Sequence, residues 1–461
     1  MYDTIIIGAG MSGLAAGIRL AHFDQSVCIL ERHYTIGGLN SFYRLHGRDF
    51  DVGLHAVTNY TRKGATRGPL AKILRQLRFK WEEFALSPQR GSRIAFPNVD
   101  LRFDNDIELL RAEVRRAFPG EVPAFERLLN EIADYDDLNF ELFTQSARQR
   151  LSQIFGEPLL IEMLLCPLMW YGNARQHDMD WGQFSIMFRA IFLEGFARPL
   201  KGVRLILKNL VKRFRELGGE LRLRHGVKRI VTDGPHALGV ELDSGQRLEG
   251  KRILSSAGHV ETMRLCDHLG EPVAPRAGQM SFVESISVLD CQPEQVGNSE
   301  TIVFFNDHDR FDWRRPEAAL CDVRTGVICS PNNYVYADAG QLSEGFVRIT
   351  CIADYDGWND LKPEDYSRAK WLWYDRTLES SVRFVPDFRY RVVASDVFTP
   401  TTIRRFTFHD NGAVYGAPEK RLDGSTPIDN LFLCGTDQGY VGIIGAIMSG
   451  ISMANLHCLR T

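Results

Sequence analysis

The sequence predicts an α/β protein in which a parallel-sheet domain, assembled from separated stretches of chain, carries an inserted α+β domain. Three observations predict it. A short apolar strand near the N-terminus runs straight into a glycine-rich turn and a small-residue helix. Near the C-terminus a second apolar strand ends in glycine and aspartate, and an apolar helix follows. Between these ends, regions of helical apolar spacing and regions of strand-like alternation are kept apart.

Thr4-Ile5-Ile6-Ile7 is apolar and β-branched throughout, the pattern of a strand buried on both faces. It leads into Gly8-Ala9-Gly10-Met11-Ser12-Gly13, then into a helix from Leu14 to Phe23 and a second strand from Gln25 to Leu30, closed by Glu31. This β-α-β unit is the context that a dinucleotide fingerprint needs. Gly8 makes the tight turn, Gly10 lets backbone approach a pyrophosphate, and Gly13 lets helix pack close to strand. The helix N-terminus offers unpaired N–H groups to phosphates, and Met11 and Ser12, in the turn before it, are candidate cofactor-binding residues. Glu31, at the second strand's end, has the place and charge to accept both hydroxyls of an adenosine ribose.

After Glu31 come Arg32 and then Gly37-Gly38-Leu39-Asn40-Ser41. An acidic strand end followed shortly by a Gly-Gly pair resembles the FAD-binding signature of the amine oxidase and phytoene desaturase superfamily. The resemblance implies a discontinuous Rossmann-like FAD-binding domain. It also implies an arginine after the two glycines. This chain has Leu39 there, and Arg32 is the candidate replacement for the charge. Phe50-Asp51-Val52-Gly53-Leu54-His55 resembles the next landmark, which runs close to the flavin, and makes His55 a weak catalytic candidate beside the reading of an ordinary histidine.

Residues 69–90 and 105–165 carry the apolar spacing of helices, punctuated by Pro97, Pro119 and Pro123. The runs 164–172 and 184–192 are strongly apolar and aromatic, readable as helical core or as the wall of an apolar tunnel. A helix from Gly202 to Lys212, a strand at Leu221–Leu223 and a hairpin through Val240–Gly245 resemble the superfamily's second FAD segment, with the backbone at Val227 facing adenine. Residues 281–355 alternate like an antiparallel sheet, and 362–384 read as helix. The expected cofactor domain is therefore 1–65, 195–270 and 395–461, and the expected substrate domain 66–194 and 271–394.

At the C-terminus, Asn430 to Leu433 is an apolar strand entering Cys434-Gly435-Thr436-Asp437, and glycines at 439, 442, 445 and 450 punctuate the following helix. The resemblance implies that Asp437 hydrogen-bonds the pyrophosphate and ribityl region. It also implies that the helix opening at Gly442-Ile443 points its N–H groups at the flavin. Within the superfamily, Phe398–Thr402 and Gly412–Gly416 resemble the carotenoid desaturases, carotenoid isomerases and retinol saturases. That implies an FAD-dependent desaturase, saturase or isomerase of long apolar isoprenoids, and work at a membrane surface. Two other classes stay open: a flavin amine oxidase, and a non-catalytic flavoprotein that carries lipid. Against the amine oxidase, the position three residues before Gly445-Ala446 is Gly442, not an aromatic cage wall.

Composition bounds the rest. A net charge of -3 gives no support to a nucleic-acid partner. Nine scattered cysteines without a C-x-x-C pair fit neither a disulfide framework nor a zinc site and suggest a reduced, cytoplasmic protein; no metal is expected. There is no second G-x-G-x-x-G on a strand-turn-helix, so quinone or oxygen is the expected electron acceptor. No uninterrupted apolar run of membrane-spanning length occurs. Phe188, Phe192 and Phe196, with Arg198, Lys201, Arg204 and Lys208 following, read either as a buried helix beside a solvated basic face or as peripheral contact with an anionic bilayer. Oligomeric state is not legible.

Overall fold

The computed structural model describes residues 1–53, 56–135, 145–266, 277–337 and 340–459. Two seven-stranded sheets organise it. In the first, strand Tyr2–Ile7 lies between Val27–Glu31 and Arg247–Ser255, parallel to both. Glu220–Leu223 extends the sheet beyond Val27–Glu31, and Leu431–Leu433 adds in parallel beside Arg247–Ser255. Val227–Asp233 and His236–Leu242 complete it as an antiparallel meander. The strand register sets Ile5 beside Cys28 and Ile253, and Ile253 beside Leu431, so residues from four separated stretches share one row.

The unbroken apolar run of the first strand follows from burial on both faces. Ile6 packs into a cluster with Leu14, Ile29, Leu210 and Ile447, under the helices Met11–Ala21, Val203–Glu216 and Gly442–Met453. Ile5 and Ile7 face the other way, onto Leu30, Val240 and Leu431. Each fully buried isoleucine contributes roughly 1.5–3 kcal/mol by leaving water. The two ends of the chain meet through glycine: a Cβ on Gly450 would lie 2.1 Å from the Ser12 carbonyl oxygen. The stretch Gly442–Leu459 is long and apolar enough to cross a membrane, but half of it is buried inside the protein, against Met11–Ala21.

The second sheet has the order Val392–Phe398, Ser281–Leu289, Gly345–Ala353, Cys321–Cys329, Ile302–Asn306, Ser92–Phe96, Val99–Phe103. All pairs are antiparallel except Ile302–Asn306 with Ser92–Phe96. One face packs on helix Pro363–Ser381 through Trp373, Tyr374 and Leu378. The other contributes to a large core with the helices between Ile107 and Phe188. Strand Val392–Phe398 runs across residue 395, where the last cofactor segment was expected to start.

Two expectations are corrected here, and one element is added. The helix expected over 69–90 spans only Pro69–Leu77: Arg78 takes a left-handed conformation that ends it, and Leu86–Pro88 pairs as a strand with Ala197–Pro199. The hairpin Ser92–Phe103 joins the second sheet, turning at Pro97-Asn98 with Asn98 at φ 63°. The aromatic stripe expected to face a bilayer is interior: Phe188, Phe192 and Phe196 are at most 1% exposed and pack among Phe103 and Phe125. Arg198 is buried too, 2.7 Å from the Asp51 carboxylate. Helical apolar spacing marks a buried face, and here the burying surface is the protein's own.

Candidate functional site

The strand-to-helix turn after Ile7 opens into a cavity of about 400 Å³. Gly8, Gly10, Met11, Ser12, Glu31, Arg32, Gly37, Gly38, Leu39, Asn40, Ser41, Val227 and Gly435 all line it. The fold therefore draws thirteen predicted residues from four stretches of the chain into one cleft. Gly13 does not line it; a Cβ there would lie 2.1 Å from the Gly8 carbonyl oxygen, so its role is the close approach of helix to turn. Gly8 sits at φ 97°, a conformation that side-chain-bearing residues rarely adopt.

The empty side of the turn fits a dinucleotide. A Cβ added at Gly10 or at Gly38 meets nothing within 4 Å, so both residues present bare backbone to open space. The N-terminus of helix Met11–Ala21 has Gly10 as its cap with no side chain covering it, leaving its first N–H groups for an anion. Glu31 is fixed from behind: Oε2 accepts the Ala9 N–H at 2.9 Å and Oε1 accepts the His33 N–H at 2.8 Å. Burial pushes its carboxyl above the ordinary range, although backbone N–H groups oppose this. The lone pairs left over suit a pair of donating hydroxyls.

Arg32, the replacement for the arginine missing at Leu39, lines the cleft with its guanidinium 3.8 Å from the centre of the Phe408 ring and 3.5 Å from Asp243. Sequence reasoning singled out the adjacent pair His409-Asp410, readable as ordinary residues, and both line the cleft; it missed the rest of this wall, Glu261, Arg264, Arg404, Phe406 and Phe408. Arg264 is paired with Asp410, and His409 Nδ1 is 3.7 Å from Glu261. The alternation Arg404-Arg405-Phe406 followed by Phe408 was the available signal. Helix Pro400–Thr407, capped by Thr399, carries Arg404 and Phe406 to the cleft, and helix His259–Arg264 carries Glu261 and Arg264.

A second cavity, about 510 Å³, shares Thr35, Gly38 to Ser41, Phe406, Thr407, Thr436 and Ala446 with the first. Gly442 and Ile443 belong to this second cavity, so helix Gly442–Met453 opens toward it. Its other walls are Trp170, Tyr171, Phe282, Val414 and Tyr415, joined by Val52 and Gly53. The apolar run of 164–172 thus serves as core on one side and cavity wall on the other. His55 lies outside the described residues.

Asp437 departs from expectation. It lines neither cavity and is 2% exposed. Oδ2 accepts the His259 N–H at 2.6 Å, Oδ1 accepts the Ala417 N–H at 2.7 Å, and Lys420 Nζ is 3.6 Å away. Its neighbour Thr436 takes the cleft-lining place. Gly435, at φ 91°, turns the chain so that one residue faces the cleft and the next faces inward.

Residues 11–312 match the model of the flavin containing amine oxidoreductase family. This chain belongs to that family. The match begins just after Gly10 and takes in Glu31 and the second strand of the turn, and membership of this family implies a flavin cofactor. Among curated proteins, the prolycopene isomerase of Arabidopsis thaliana is 24% identical over 99% of this chain and 82% of its own. The all-trans-retinol 13,14-reductase of Danio rerio is 22% identical over 98% and 85%. The 4,4'-diaponeurosporene oxygenase of Staphylococcus aureus is 22% identical over 94% and 93%. Among solved structures, an oxidoreductase from Methanosarcina mazei superposes with a TM-score of 0.68 at 16% identity, covering 98% of this chain and 99% of that one. A putrescine oxidase variant gives 0.66 at 17% identity, covering 100% and 99%. The family member described here is thus an oxidoreductase by family. Its nine cysteines are free thiols, eight of them buried. Among the described residues no group of three metal-ligating side chains converges.

Proposed function

We propose that this flavoenzyme holds FAD and acts on a long apolar isoprenoid, by desaturation, saturation or isomerisation. The observation that carries the proposal is the continuity of the two cavities: a cleft with a carboxylate and bare glycines opens into a larger aromatic cavity through Asn40, Ser41 and Thr436. Glu31 at the far end of the cleft favours a dinucleotide over a mononucleotide, because only the former brings an adenosine ribose there. The curated relatives named for a polyene isomerase, a retinol reductase and a diaponeurosporene oxygenase support an isoprenoid substrate.

A bound flavin supplies the hydride-transfer and electron-transfer chemistry. The protein's own part is orientation and exclusion of water. Trp170, Phe282, Val414 and Tyr415 form an apolar channel wall, and helix Gly442–Met453 directs its positive end toward the cavity junction. Quinone or oxygen is the proposed acceptor, since the chain has a single dinucleotide fingerprint.

The test is to extract the purified protein and identify its flavin by mass spectrometry, then to mix it anaerobically with polyenes and with primary amines. Bleaching of the flavin absorbance, or double-bond isomerisation, with polyenes alone supports the proposal. Bleaching by amines alone makes the protein an amine oxidase, and response to neither makes it a binding protein.

A further inference from the structure

The floor of the larger cavity is one face of the second sheet, and its chemistry is graded. Register places Phe398 beside Glu284, Glu284 beside Thr350, Thr350 beside Val327, and Asp396 beside Ile286. Directly paired residues share a face, so Asp396, Phe398, Glu284, Phe282, Thr350 and Val327 all face the same side. The polar members lie toward the edge strand Val392–Phe398. Beyond them, Val327 and Phe282 lead to Trp170 and Tyr415, where the lining is aromatic.

The polar end is built around Asp396, whose side chain is 15% exposed. Its Oδ2 accepts the Tyr43 hydroxyl at 2.8 Å, and its Oδ1 accepts the Val397 N–H at 2.8 Å. Lys370 reaches Oδ1 at 3.4 Å from helix Pro363–Ser381, which covers the sheet's other face. Glu284 is likewise engaged, by Arg348 and by the Thr350 hydroxyl at 2.9 Å. The carboxylates are therefore occupied by their own donors. The ammonium of Lys370 is the reverse case: it has three donors, one long ion pair, and a side chain one quarter exposed on the cavity lining. Arg44 lines the same end. What this end has to spare is therefore donors, not acceptors.

We propose that the substrate is an amphipathic isoprenoid whose oxygen-bearing head group accepts a hydrogen bond from Lys370, with the tail along the aromatic wall. This rests on the isoprenoid reading above and deepens it. Lys370 is then a specificity-determining residue that fixes how far along the chain the reacting carbons lie from the head. A purely hydrocarbon substrate would strip water from that ammonium and return nothing, which a binding site pays for in affinity.

Equilibrium binding of three tritiated twenty-carbon probes to the flavin-loaded protein tests this: geranylgeraniol, geranylgeranoic acid and the matching tetraene hydrocarbon. The expected result is that one or both oxygenated probes bind at least tenfold tighter than the hydrocarbon. In Lys370→Met, which keeps the apolar stem, that preference falls to near parity, the oxygenated probes binding more weakly and the hydrocarbon somewhat more tightly, and Lys370→Arg restores it. A preference for the acid alone identifies an anionic head; equal preference identifies a neutral oxygen acceptor. Equal binding of hydrocarbon and oxygenated probes by the wild type, or an unchanged preference in Lys370→Met, overturns the proposal while leaving the isoprenoid reading intact. Failure of all three probes to bind overturns both.

Discussion

The Asp437 carboxylate accepts the backbone N–H of His259 at 2.6 Å, tying the end of the C-terminal strand to the start of helix His259–Arg264. With Ala417 on its other oxygen and Lys420 nearby, it is a buried structural acceptor. Gly416 makes room for it: a Cβ there would overlap Oδ1. Asp437→Ala should leave two buried backbone donors unpaired and remove the carboxylate beside Lys420, which keeps its hydrogen bond to the Tyr415 carbonyl, at a cost of about 3–5 kcal/mol. Denaturant unfolding should show that loss, with Asp437→Asn intermediate. The flavin spectrum of the folded fraction should stay that of the wild type; an altered spectrum at unchanged stability would restore Asp437 to the flavin site.

Gly10 and Gly13 should separate binding from folding. A side chain at Gly10 projects into open space, so Gly10→Val should fold with wild-type stability and lack flavin. A side chain at Gly13 collides with the Gly8 backbone, so Gly13→Val should fail to fold or lose several kcal/mol. Circular dichroism melting with and without added FAD reads both. A flavin-replete, folded Gly10→Val protein would move the pyrophosphate out of this cleft.

Much of the cleft was legible because glycine spacing and an acidic strand end are local consequences of one β-α-β unit, which holds Gly8 to Glu31, and the Gly37-Gly38 pair follows it closely in sequence. The far wall was not, because Arg264, Arg404 and Phe408 reach the cleft only through tertiary packing, and nothing local distinguishes them from surface residues. Asp437 shows the opposite failure. Its position in a strand-Gly-x-Asp pattern was correct, but one residue's turn at Gly435 decides whether a side chain faces ligand or core. The hairpin Ser92–Phe103 was passed over between helical stretches, although Pro97-Asn98 marks its turn.

The phenylalanines between Phe188 and Phe196 supply a further check. Phe192 meets Phe103 at 5.0 Å and Phe188 at 4.9 Å between ring centres, both edge-on, and is 1% exposed. Phe192→Ser should therefore destabilise the protein by about 3–5 kcal/mol. Sedimentation of its folded fraction with anionic liposomes should equal that of the wild type. Loss of liposome association without loss of stability would mean that the ring reaches a bilayer after all.

Glu31 links proton and flavin. Burial raises its carboxyl pKa, so on acidification it takes up its proton before an exposed carboxylate does. Two ribose hydroxyls need an ionised acceptor, and a protonated carboxyl offers fewer lone pairs and one competing donor. FAD therefore favours the ionised form, and its affinity should fall as pH drops through the region just above the ordinary carboxylate range. In the flavin-free protein the sign is opposite. A raised carboxyl contributes its stability in full at low pH and loses it as pH rises through the folded-state value, so acid should loosen flavin without unfolding this part of the sheet. Glu31→Ala should bind FAD more weakly at neutral pH by about 1–3 kcal/mol and show a flat profile over that window. Fluorescence titration of FAD into flavin-stripped protein at several pH values measures both curves. Parallel curves for wild type and Glu31→Ala would show that another group, with the buried Glu261 carboxyl also raised and on the cleft lining, carries the proton dependence.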